Sequence, residues 1–128
     1  MPRISQLFIK TATIFLLIGV GLGLQMGIAK DHSAMPAHAH ILLLGWVTSG
    51  LFGGYYALQP AQAERRVAIA HCVVYVLGMV IMLPALYLKY IGYPQFEPLL
   101  AGGSMIVGLG IILFAYVIFS RGDQRAGA

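Results

Sequence analysis

Charge is scarce in this chain. Aspartate and glutamate number four, lysine and arginine eight, and charged residues make up 9% of the sequence. An ordinary water-soluble domain carries about 25% charged residues, so the material for a water-exposed surface is missing. Cysteine is almost absent as well. Cys72 is the single one and sits in an apolar run, which excludes an intramolecular disulfide. A thiol without positive neighbours stays protonated and packs as a small apolar group. The few acids, Asp31, Glu64, Glu97 and Asp123, all fall in breaks or near a terminus. No carboxylate pair is therefore available inside an apolar segment, and no hydrolytic constellation can be assembled. The stretch "GVGLG" follows no strand, so it reads as packing glycine and not as a phosphate loop. Nothing resembles a long polar linker. A net charge of +4 says little about nucleic acid, because the cations flank apolar runs instead of forming a patch.

What remains is long apolar sequence. The chain is 59% hydrophobic, its mean hydropathy is +0.85, and its 128 residues suit one domain and not two. A bilayer core of about 30 Å takes roughly 20 helical residues to cross. Four stretches reach that length, 7–29, 37–58, 67–90 and 99–120, separated by the breakers "KDHSAMP", "QPAQAERR" and "IGYPQFEP". Backbone groups in lipid must be paired within a span, and short links join antiparallel neighbours. The expectation is an all-α membrane protein, a single transmembrane domain over 1–128 built as an up-down bundle of four helices.

Positive residues set its direction. Arg3, Lys10, Arg65, Arg66, Arg121 and Arg125 fall on one side of the hairpin path, and Lys30 and Lys89 on the other. The positive-inside rule then puts both termini in the cytoplasm, in a bacterial-type inner membrane. A basic start and the small residues before Lys30 also fit a signal peptide, the weaker reading of the first run. Gly19, Gly23 and Gly27 recur every fourth residue, as do Gly50 with Gly54 and Ser104 with Gly108. Such faces let helices approach closely. They are more numerous than four helices can use among themselves, which points to a homo-oligomer. Pro84 is expected to kink the third helix, and Trp46, Tyr87, Tyr90 and Tyr93 suit the membrane interface.

The histidines carry the chemistry. His38 and His40 open the second run, just after His32 and Met35. Residues two apart on an α-helix point about 200° around the axis. The two imidazoles therefore face opposite flanks and are placed to ligate two different centres. Were the first turn frayed by Pro36, both rings could instead join His32 and Met35 around one copper ion, a set of imidazole and thioether ligands. Intramembrane ionisable residues usually face a site or a partner. For the lone His71, a structural hydrogen bond is the ordinary reading. Pairing His71 with His40 on one iron is excluded, because their depths differ by roughly 18 Å at 1.5 Å per residue.

"HAHILLLGWVTSGLFGGYY", followed by "RRVAIAHCVVYVLGMV", resembles the haem–copper oxidase subunit I superfamily, which includes cbb3-type cytochrome c oxidases and nitric oxide reductases. The resemblance covers most of the chain, and its specific part is His-x-His ahead of Gly-Trp. It implies a four-helix arc, one third of a twelve-helix ring, with the His-x-His at the outer end of the second helix. Three copies would rebuild the ring as a homotrimer, each haem b lying between His38 of one subunit and His40 of the next. The family's further copper-ligating histidines are not evident, and an iron filled by two imidazoles keeps no open position.

The leading expectation is a haem b-binding membrane electron-transfer protein, with a quinol or a cytochrome c-like protein as electron partner. A haem–copper centre reducing a small oxidant, which would make the chain an oxidoreductase, is one alternative. A copper-binding module using His32, Met35, His38 and His40 is another. A haemless structural subunit is the third.

Overall fold

The apolar runs are shorter than the helices they seed. A computed structural model describes residues 1–120, so Arg121, Asp123 and Arg125 lie outside the described residues. The first helix spans Arg3–Ala29, because polar residues such as Arg3 and Gln6 continue a helix as readily as apolar ones. It stops at Lys30, whose backbone is left-handed with φ 56° and whose N–H closes onto the Met26 carbonyl. The second spans Met35–Leu58, the third Arg66–Tyr90 and the last Pro94–Phe119. Pro94–Phe96 is a 3-10 turn, and the last α-helix proper begins at Glu97, so Pro36 and Pro98 lie in the first turns of their α-helices, where a missing N–H leaves no bond unmade. Pro84 lies inside the third helix without ending it. A short helical turn, Pro60–Ala63, occupies the second break.

All four helices are long and apolar enough to cross a membrane, and no strand occurs among the described residues. Their close contacts show antiparallel neighbours. Along the first pair, Gly53 meets Ser5 and Ile9, Gly45 meets Phe15, and Gly19 meets Leu42, one number rising as the other falls. Along the last pair, Gly110 faces Tyr75, Gly78 faces Val107 and Gly103 faces Met82 in the same reversed order. The second and third helices are tied by Tyr75, whose hydroxyl donates to the Leu44 carbonyl at 2.9 Å.

The glycine stripes are only half used inside the bundle. Gly19 and Gly23 pack as their spacing suggested, but Gly27, Gly50, Gly54 and Gly108 have nothing within 4 Å of an added Cβ. The second helix approaches the first through Gly45 and Gly53 instead. Gly45, the buried Ser49 and Gly53 form a small-residue stripe of their own at four-residue spacing, offset from Gly50 and Gly54, and Ile41–Thr48 within this helix is a π-helix. Hydroxyls fill the loosened ladder. Thr48 Oγ1 donates to the Leu43 carbonyl at 2.8 Å, and Ser49 Oγ to the Leu44 carbonyl at 3.2 Å.

The core sits toward the N-terminal end of the bundle and is aromatic. Phe8, Tyr56, Tyr75 and His71 are completely buried there, with Phe52 and Phe114 packed among them at 4.4 Å between ring centres.

Candidate functional site

His38 and His40 lie in the one regular α-helical stretch at the head of the second helix, Met35–His40, directly before the π-helix begins. The geometry of two residues on a 3.6-residue turn therefore applies to them, and their surroundings differ accordingly. His38 is half-buried against the first helix, while His40 is exposed.

Each ring is tethered through the same nitrogen. His38 Nδ1 lies 2.9 Å from the backbone carbonyl of Gly19, on the first helix. His40 Nδ1 lies 2.7 Å from the carbonyl of Pro36, one turn earlier on its own helix. A carbonyl oxygen accepts and never donates, so both Nδ1 atoms must carry the proton. In the neutral ring that leaves the lone pair on Nε2. This is the tautomer and the second-shell bond that ligating histidines commonly show. Neither Nε2 has a hydrogen-bond partner among the described residues.

The first helix also shapes the space around His38. A Cβ added at Gly23 would stand 2.7 Å from the His38 Cε1 and 3.5 Å from Nε2. Any side chain there would push the ring from its place. Gly19 contributes its carbonyl, and Gly23 contributes the absence of a side chain. These features fit an imidazole that is held to ligate a metal.

His32 and Met35 are both exposed near the same end. The Asp31 carboxylate beside them accepts from the Ser33 N–H at 3.0 Å, which holds its pKa below the ordinary 3.8. No three His, Cys, Asp or Glu side chains gather as an ion would require, among the described residues.

His71 lies at the other end. Its ring centre is 5.0 Å from that of Phe8, whereas His38 meets the first helix at Gly19 and Gly23. Eleven to fifteen residues of helix separate those levels, about 17–22 Å, and His40, two residues past His38, is nearer to His71 by only about 3 Å, so within one chain the two rings stand too far apart in depth to share an iron. Phe52 at 4.5 Å and Phe114 at 5.2 Å close the remaining sides of the His71 ring. It is wholly buried. Its Nδ1 is 2.9 Å from the Tyr56 hydroxyl, and its Nε2 has no partner. This is the structural hydrogen bond expected of an isolated histidine, made by one of the two tyrosines that close the second run. Cys72, its neighbour, is buried and free.

Sequence reasoning reached the two histidines but not their supports. The Gly19 and Pro36 carbonyls belong to the backbone, which no residue letter marks. Gly23 had a signal, its place four residues after Gly19, but a spacing of glycines does not say what lies opposite.

Comparison with known proteins adds one likeness. The chain is 29% identical over 114 residues to cytochrome c oxidase subunit 1 of Tetrahymena pyriformis, an alignment covering 77% of this chain. That likeness supports a distant relationship. The chain spans only 16% of the length of that protein. No family model and no solved structure matches it.

Proposed function

We propose that this chain is a membrane haem protein that passes electrons, with haem b ligated by Nε2 of His38 from one copy and Nε2 of His40 from the next. The observation that carries the reading is the shared tether: both Nδ1 atoms donate to carbonyls, so both Nε2 atoms present lone pairs. The rings are directed to different flanks of one helix, which suits two irons better than one. Haem, when bound, would supply a one-electron couple, and the imidazoles of His38 and His40 and their apolar surroundings would tune its potential. The chain's own part is to hold the two imidazoles in one tautomer and to keep them at one depth. The distant likeness to a cytochrome c oxidase subunit is in keeping with a redox role.

On this reading three copies close into a ring, the simplest way for opposed ligands to meet across every boundary. The histidine end faces the outer side of a bacterial-type inner membrane, with both termini in the cytoplasm, where Arg3, Lys10, Arg65 and Arg66 cluster. A quinol in the bilayer or a cytochrome c-like protein outside supplies or receives the electron.

The purified protein is expected to give a pyridine haemochrome of haem b and a six-coordinate low-spin spectrum. The six-coordinate spectrum disappears when either His38 or His40 becomes alanine. A protein without haem that carries copper overturns the reading in favour of a copper module at His32, Met35, His38 and His40. Absence of both metals leaves a structural subunit.

A further inference from the structure

The two imidazoles share a tether but not a setting. His38 is bonded across a helix interface, from the second helix to Gly19 nineteen residues earlier. It is half-buried, and the bare backbone of Gly23 lies against its ring. Turning it away means breaking an inter-helix bond while leaving a fitted slot. His40 is bonded within its own first turn, four residues back to Pro36, in an exposed position. Breaking that bond disturbs no packing between helices. Its carbonyl partner, Pro36, is the second residue of the same helix.

From this asymmetry we propose that His38 is the fixed ligand and His40 the exchangeable one. His40 would then be the side on which a small uncharged ligand could take the place of the protein's imidazole, while His38 would keep hold of the group. Gly23 is the positioning residue for the fixed side: it sets where the His38 ring stands without touching the iron. The proposal rests on the haem reading above and adds a direction to it. A site that otherwise only carries electrons would gain an inducible place for a diatomic ligand: the bond to His40 Nε2 would break, a bond to the incoming ligand would form, and no electron would be transferred.

The test uses the full-length protein in detergent, with haem content and absorption spectra as the readout. His40→Ala is expected to keep its haem, within about twofold of the unaltered protein, as a five-coordinate species that binds carbon monoxide when reduced. Added free imidazole should restore its six-coordinate spectrum. His38→Ala is expected to lose haem by about tenfold or more, the scale seen when support of a ligand is removed. Gly23→Ala should retain the fold, since only the ring tip need shift, yet lower haem content or move the reduction potential. Equal haem loss in His38→Ala and His40→Ala overturns the proposal, as does retention of haem by His38→Ala with loss by His40→Ala. Unchanged haem content and unchanged potential in Gly23→Ala overturn the positioning role. If the unaltered protein itself holds no haem, the reading beneath has failed, and that outcome is distinct from all of these.

Discussion

At the scale of single residues, the chain places hydrogen-bonding groups where lipid can offer nothing. His71 and Tyr56 illustrate the price of such placement. Their 2.9 Å bond satisfies one ring nitrogen, while Nε2 stays unpartnered among phenyl rings. Removing the Tyr56 hydroxyl orphans both nitrogens of a wholly buried ring. An unmade hydrogen bond of this kind costs about 1–3 kcal/mol, so Tyr56→Phe is expected to destabilise the bundle by about that amount. Cys72 provides the measurement, because it is a single buried thiol next to His71. Its reaction with a maleimide dye on heating should come at a lower temperature in the variant, with the spectrum at His38 and His40 unmoved. A variant as stable as its parent shows that the bond contributes nothing. His71 was legible as a structural histidine from its isolation in the sequence. Its partner was not, since Tyr55 and Tyr56 are adjacent and only the rotation of the second helix selects between them.

Helix contacts turn on glycines that look alike in the sequence and differ in the fold. An added Cβ at Gly103 would lie 2.7 Å from the Met82 backbone nitrogen, while one at Gly102 would meet nothing within 4 Å. Backbone cannot move aside as the end of a flexible side chain can. Overpacking of this sort costs about 1–3 kcal/mol, so Gly103→Ala should lower the unfolding temperature in detergent. Gly102→Ala, one residue away, should leave it unchanged or raise it slightly by favouring helix. Equal effects from the two substitutions refute the packing register of the last two helices. The π-helix over Ile41–Thr48 belongs to this scale as well. No letter in "ILLLGWVT" requires it. It persists where the Thr48 and Ser49 hydroxyls and the Tyr75 phenol take up the carbonyls that wider turns release. Two of those donors are local and one comes from another helix, which is why hydropathy and periodicity along the strip read as an ordinary span.

For the whole molecule, four apolar helices joined by short links make a bundle that lipid can surround. Gly27, Gly50, Gly54 and Gly108 nevertheless present bare backbone outward, the arrangement that membrane helices use to meet close neighbours. If His38 and His40 ligate iron from opposite flanks of one helix, each haem needs more than one copy of the chain. Native mass spectrometry of the haem-loaded protein in detergent is therefore expected to show a trimer, and a monomer carrying its full haem rules out ligation between copies.

Membrane class, helix number and the position of the paired histidines could be read along the chain, because hydropathy, breakers and a two-residue spacing are local properties. Each survives whatever the helices do around one another. The direction of the rings was only half local: the helical turn splays His38 from His40, but it does not say which of them meets the first helix. Packing answered that. Rotation of each helix about its axis put the Gly19 carbonyl and the bare Gly23 backbone against His38 and left His40 exposed. Backbone carbonyls are the same in every residue, so only the folded arrangement could choose which one holds the ring and thereby which nitrogen is free.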